Sequence, residues 1–178
     1  MTDTQNLVKL NLGCGDKHLP GYLNVDIVES RRGLRPDVIC DIRDLKPFDG
    51  ASVDEVLAVH VIEHVHRWEV EGVLVEWARV LKSGGKIVLE TPNLISACKA
   101  LLEDPIKGAR PGQEGQMTMW PLYGDPSWKD EHMMHKWLYT PRSLAEVLHK
   151  VGFTQIKQTP AQYKMREPRD MRLEAIKP

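Results

Sequence analysis

Two clusters in this chain of 178 residues have the residue types and spacing to do chemistry. The first is Asn11-Leu12-Gly13-Cys14-Gly15. An apolar run that ends in Gly-x-Gly lets the backbone turn tightly and approach a ligand, because glycine lacks a Cβ and tolerates positive φ. Alone, such a loop is equally the mark of an ordinary strand-to-helix turn. The second cluster is His60-x-x-Glu63-His64, with His132 and His135 far downstream. Imidazole titrates near working pH, so His64 or His135 could take a proton from a reacting hydroxyl. The same group offers nitrogen and oxygen donors to a divalent metal, a reading that ranks below the base. The plainer roles are a helix cap or packing contact for His64 and a backbone hydrogen bond from His135 that orders the segment around it.

Two acids extend the first cluster. Asp26 and Asp41 each end a short apolar run, where a doubly wound sheet places ligand groups beyond its carboxyl edge. A carboxylate there can accept both hydroxyls of a ribose. Asp41 could accept from an adenine amino group while Ile42 packs on the ring, and either acid could instead form a turn or cap a helix.

The elements that must position these residues follow from periodicity. Residues 7–12, 22–27, 37–41 and 53–60 read as four strands ending on polar residues. From Arg67 the period changes: Val70, Val73, Leu74, Trp77, Val80 and Leu81 mark one helix face, which Ser83-Gly84-Gly85 stops. Residues 86–91 are a β-branched strand cut off by Pro92, which cannot donate to a central ladder. From about Pro105 to Tyr139 no period holds, and a connection this long in a compact domain is usually functional or disordered. Its aromatic and Met content argues against plain disorder. Thr140 then caps a helix with Pro141 at its first position, Leu144, Val147, Leu148 and Val151 on its face and Gly152 at its end. Residues 153–157 and 170–176 are the last strands.

Composition bounds the rest. A 42% hydrophobic content supports one substantial core, so one domain over residues 1–178 is expected. The formal net charge of −1 gives no basic excess for nucleic acid or an anionic membrane. Cys14, Cys40 and Cys98 are unpaired in spacing, which fits a reducing cytoplasm rather than a disulfide framework. The first residues lack the basic and apolar stretches of a signal peptide, and no run reaches the ~18 apolar residues of a membrane helix. A soluble, cytoplasmic protein is expected.

Taken in order, Leu10-Asn11-Leu12-Gly13-Cys14-Gly15, Gly21-Tyr22-Leu23-Asn24-Val25-Asp26, Cys40-Asp41-Ile42, His60-Val61-Ile62-Glu63-His64, Leu81-Lys82-Ser83-Gly84-Gly85, Glu90-Thr91-Pro92-Asn93 and His135-Lys136-Trp137-Leu138-Tyr139-Thr140-Pro141 resemble the small class I methyltransferases that depend on S-adenosylmethionine (SAM). The resemblance runs on to Val151-Gly152-Phe153 and covers nearly the whole chain. It implies an α/β, Rossmann-like fold, with a mostly parallel seven-stranded sheet flanked by helices and an irregular insert, residues 105–139, after the fifth strand. It implies SAM as cofactor and S-adenosylhomocysteine as product. Gly13, Cys14 and Gly15 would lie along the methionine part, Asp26 at the ribose, and Asp41 with Ile42 at the adenine, with Leu12 and Ile27 also in the cofactor site. His60 would lie beneath the sulfonium region. The acceptor expected is a small or saccharide-like molecule, methylated at oxygen, with His64 or His135 as the candidate base.

The chain departs from that pattern at three places. The usual acid two residues before the first glycine is Asn11, the third glycine is Lys17, and only residues 16–21 separate Gly15 from Tyr22, too few for an ordinary crossover helix. Two rival readings remain. One is a SAM-binding protein without methyl transfer. The other is a nicotinamide dinucleotide enzyme, which would want a glycine where His18 stands and an acid later than Asp26. Trp120, Tyr123, Trp128, Trp137 and Tyr139 suit an aromatic lid over the acceptor, or simple packing of the insert. Lys164, Arg166, Arg169 and Arg172, interspersed with Glu167, Asp170 and Glu174, read as a solvated, self-compensating surface.

Overall fold

A computed structural model describes residues 7–30, 32–105, 116–163 and 169–178. Seven strands form one sheet: β1 (Lys9–Leu12), β2 (Leu23–Asp26), β3 (Val38–Ile39), β4 (Val53–Val59), β5 (Leu81–Pro92), β6 (Thr154–Thr159) and β7 (Asp170–Ile176). Their order is β3-β2-β1-β4-β5-β7-β6, parallel as far as β5, with β7 antiparallel to both its neighbours. The expected sheet is thus the one observed.

Helix α1 (Val70–Val80) buries Val70, Val73, Leu74, Trp77 and Val80, the face that its spacing marks. It ends at Val80 rather than at Ser83, and Leu81 already belongs to β5. The Trp77 indole donates to the Ile42 carbonyl at 2.8 Å, tying the β3–β4 connection to the helix. Helix α4 (Pro141–Val151) carries the full capping box at Thr140 and ends on Gly152 at φ +104°. It packs beside α1 over the apolar face of the sheet.

The opposite face of the central strands carries charged residues around the buried Leu57 and Val88. Cross-strand registers align Lys9, Glu55 and Lys86 along one row, and Glu90 lies opposite Arg172. Ion pairs join them: Lys86–Glu55 at 3.0 Å, Arg172–Glu90 at 2.9 Å and Arg172–Glu174 at 2.9 Å. Arg172 and Asp170 are therefore buried, not part of a solvated surface; their charges do compensate, but inside the sheet. Lys164, Arg166 and Glu167 lie outside the described residues.

Two helices escape the sequence reading. Helix α2 (Leu94–Glu103) follows β5 directly, with the Asn93 side chain accepting from the Ile95 amide. Helix α3 (Gln116–Tyr123) lies within the segment expected to be irregular, and two 3-10 turns, Pro126–Trp128 and Glu131–Met133, follow it. Pro121 inside α3 hides its period, because proline is a helix breaker in any local reading.

No helix joins β1 to β2. Residues 13–22 make the crossover as two turns, with the Lys17 amide donating to Cys14 and the Tyr22 amide to Leu19. Among the described residues, no helix is long and apolar enough to cross a membrane.

Candidate functional site

Parallel strands β1, β2 and β4 all deliver their carboxyl ends to one edge of the sheet, where doubly wound folds bind ligands. Gly13–Gly15, Asp26 and His60–His64 meet there. Because β7 runs the other way, its first residue, Asp170, pairs with Pro92 at the end of β5 and joins the same edge.

The glycine loop is shaped by close approach and by positive φ. At Gly13, with φ +63°, an added Cβ would stand 2.6 Å from Val61 Cγ2, so the loop after β1 packs directly on the loop after β4. At Gly15, with φ +47°, an added Cβ would meet nothing within 4 Å. The first glycine serves packing and the second leaves open space. The Cys14 amide donates to the Val25 carbonyl at 3.1 Å. Burial, with the nearby Asp26 charge, pushes the Cys14 thiol up to about 12, so it stays neutral.

Asp26 accepts from the Gly15 amide at 2.8 Å through one oxygen and from the Ile27 amide at 2.7 Å through the other. A carboxylate has about four acceptor positions, so two remain for a ligand. Ile27 and Val28 stand 52% and 61% exposed beside it, an apolar wall next to an acid. Val28 did not emerge from the sequence, since an exposed valine has no periodic signature. Asp41 is held by its hydrogen bonds from the Arg43 guanidinium, which keep its carboxyl below the usual range. Ile42 is half-buried against the core.

Asn11, where an acid was expected, has a structural task. Its amide donates to the Lys17 carbonyl at 2.8 Å and to Asn24 Oδ1 at 3.0 Å, and the same Asn24 oxygen accepts from the Leu19 amide at 2.8 Å. A carboxylate could not donate those bonds. Asn11, Gly13, Cys14, Lys17, Leu19, Val59 and Tyr163 line a cavity of about 30 Å³ at this loop. Tyr163 is a site residue that the sequence reading missed; its amide and that of Gln162 are both fixed by the Glu90 carboxylate. A larger cavity, about 290 Å³, lies at the opposite end of β1 and β4 among Leu7, Lys9, Asp54, Glu55 and residues 82–85. It touches none of the site residues and sits at the wrong edge of a parallel sheet.

His60 occupies the left-handed region at φ +56°, a conformation costing about 1–3 kcal/mol outside glycine and held only where the surroundings enforce it. The enforcement is visible. Its Nδ1 lies 2.9 Å from Glu63 Oε1 and its Nε2 lies 3.0 Å from Asp170 Oδ2, both carboxylates fully buried. Its polar atoms are thus taken by the protein, and its main chain and ring face are what it can offer a cofactor. Burial alone would raise the Asp170 carboxyl, but the bond from His60 and the charge of Arg169 hold it below its usual value. Burial would likewise raise Glu63, yet the charge and hydrogen bond of His60, with His64 and His135 nearby, hold it down to about 2. Glu63 also accepts from the Thr91 hydroxyl at 3.0 Å.

The insert is anchored on this cluster. Amides of Lys136 and Trp137 donate to the Glu63 carbonyl, at 2.7 and 3.2 Å. His135 closes the end of α3 twice, its amide on Tyr123 O and its Nδ1 on Pro121 O at 2.9 Å, carbonyls that a helix terminus leaves unpaired. His64 Nδ1 lies 3.1 Å from Met134 O. The two imidazoles meet edge to face, centroids 5.0 Å apart. Burial lowers the His135 pKa, which favours the neutral ring. His132 stands outside this group. Of the insert aromatics, Tyr123 and Trp137 are exposed near the histidines, whereas Tyr139 is core, and its hydroxyl has no hydrogen-bond partner among the described residues.

Comparison with known proteins bears on this edge. Residues 10–89, from β1 to near the end of β5, match the family model of a methyltransferase domain. No curated protein matches the chain. Among solved structures, a SAM-dependent methyltransferase of Methanosarcina mazei is 15% identical with TM-score 0.64, over 97% of this chain and 93% of that one. A SAM-dependent methyltransferase of Archaeoglobus fulgidus is 17% identical with TM-score 0.62, over 96% and 86%. A possible histamine N-methyltransferase of Thermotoga maritima is 16% identical with TM-score 0.60, over 96% and 82%. At these identities the likeness is one of fold. The domain match favours the methyltransferase reading of the glycine loop over the nicotinamide one.

Proposed function

We propose that this chain, a SAM-dependent methyltransferase of the class I fold, methylates a hydroxyl of a small or saccharide-like acceptor held between the glycine loop and the insert. The observation that carries the oxygen assignment is the pair His64 and His135. Each commits Nδ1 to a backbone carbonyl, which leaves its Nε2 lone pair available to a hydroxyl proton.

The residues present fit SAM: Asp26 keeps acceptor positions for the ribose, Ile27 and Val28 offer an apolar wall for the adenine, and Gly15 leaves room where a side chain would intrude. SAM supplies an electrophilic methyl group, whose transfer breaks the carbon–sulfur bond and leaves S-adenosylhomocysteine. This chain's contribution is then alignment and proton removal. In-line displacement gains most from holding the reactants at near-attack distance. Tyr123 and Trp137 offer flat, amphipathic rings that stack on a sugar or aromatic acceptor and exclude water. The cavity at the glycine loop, about 30 Å³, is far below the about 300–1,000 Å³ of a formed ligand site. Three free thiols accord with a reducing compartment, where we place the protein.

Titration calorimetry with SAM and S-adenosylhomocysteine, followed by transfer of labelled methyl to a panel of sugars, phenols and amines, tests the reading. We expect binding of both nucleosides and label on hydroxyl acceptors. Absence of binding would overturn the cofactor assignment, and label on amines alone would overturn oxygen. His64→Ala and His135→Ala should keep SAM affinity and lower turnover by about 10²–10⁴-fold.

A further inference from the structure

Glu63, His64 and His135 come together from segments some seventy residues apart, and one carboxylate oxygen and one ring nitrogen of each imidazole lie within 4.8 Å of one another. We propose that these three residues bind one divalent transition-metal cation of the zinc class, leaving coordination positions open towards the acceptor.

Three observations separate this from a chance meeting of side chains. Both histidines turn Nδ1 to a backbone carbonyl, Met134 O at 3.1 Å and Pro121 O at 2.9 Å, the arrangement that fixes the tautomer of a metal-ligating histidine and leaves Nε2 as the donor. Glu63 is fully buried and oriented by two further partners, Thr91 and His60, so the carboxylate is itself held by an outer shell. The backbone of the insert is fastened at the same residue, through Lys136 and Trp137 on the Glu63 carbonyl, which fixes where His135 stands relative to it. Two imidazoles and one carboxylate are the three-protein-ligand set of a catalytic rather than a structural zinc site. Two nitrogen donors select zinc, cobalt or manganese over magnesium, which prefers oxygen.

Such an ion takes up the Nε2 lone pairs of His64 and His135, so in the loaded protein the metal replaces the free imidazoles in activating the acceptor hydroxyl; this use rests on the proposed methylation at oxygen. An acceptor oxygen bound at an open position loses its proton more readily. That proton passes to solvent, the oxygen–methyl bond forms as the sulfur–methyl bond breaks, and the electron pair stays on sulfur.

The binding step is tested on the full, metal-stripped chain without SAM or acceptor. Zn²⁺ is titrated by calorimetry, Co²⁺ by its visible absorption, and the ring nitrogens are followed by NMR. We expect one equivalent to bind, with the Nε2 resonances of His64 and His135 shifting. His64→Ala and His135→Ala should each weaken binding by at least about 10-fold, and His132→Ala should leave it unchanged. The NMR readout in the unaltered chain stands even where a variant fails to fold. No saturable binding below about 1 mM, or binding that leaves both ring resonances in place, overturns the site. Methyl transfer that persists in chelator without metal binding removes this proposal alone, and metal binding without any methyl transfer removes only the proposed function.

Discussion

The Asn11 side chain donates to Asn24 Oδ1 across the first two strands at 3.0 Å, and the same amide reaches the Lys17 carbonyl at 2.8 Å. Both positions that depart from the family pattern, 11 and 17, thus belong to one brace. It holds a crossover too short to contain a helix, and it needs a donor where the usual acid would offer only acceptors. Asn11→Asp should destabilise the fold by about 1–3 kcal/mol, because it sets a buried carboxylate against two oxygens. Chemical denaturation checks this; an unchanged midpoint would show that the brace carries no stability.

The two loop glycines should fail differently. Gly13→Ala drives a methyl into Val61 and keeps an unfavourable φ, at a cost of about 1–3 kcal/mol in stability. Gly15→Ala meets no protein atom, so its stability loss should be about 1 kcal/mol while SAM affinity falls more steeply. Melting temperatures and calorimetry on both variants separate packing from ligand space.

Asp26→Ala should weaken SAM binding by about 1.5–3 kcal/mol, the worth of a hydrogen bond to a charged group. Circular dichroism must show the variant folded, since Asp26 also accepts from Gly15 and Ile27. Full affinity in a folded variant would remove Asp26 from the ribose site.

Stability should fall with acid in two stages. The folded pKa of His135 lies below its ordinary 6.5, so the unfolded chain binds the proton more readily and stability declines as pH drops through that range. Glu63 lies at about 2 in the fold against 4.5 ordinarily, and Asp170 is also depressed, so a second decline follows below pH 4.5. Melting temperature against pH measures both, and His135→Gln should abolish the upper stage only.

Much of the scaffold was legible locally. Seven strands, the α1 face and both caps of α4 follow from spacing and from Thr140, Pro141 and Gly152, because periodicity and capping are properties of neighbouring residues. Helix α3 was hidden by Pro121, and Tyr163 carried no pattern at all. The charge pairs of Asp170 and Arg172 read as surface because alternating charges along one strand look the same whether the opposing strand is water or Glu90.

The sequence by itself therefore determined the strands, the glycine turn and the acids that end those strands, since each is set within a few residues of chain. Only the tertiary structure decided what those residues face. It placed Asn11 on Lys17 and Asn24, His60 between Glu63 and Asp170, and His64 beside His135. The strand order and the reversed β7 bring the distant partners to one edge, and no local signal encodes a contact such as His60–Asp170, 110 residues apart.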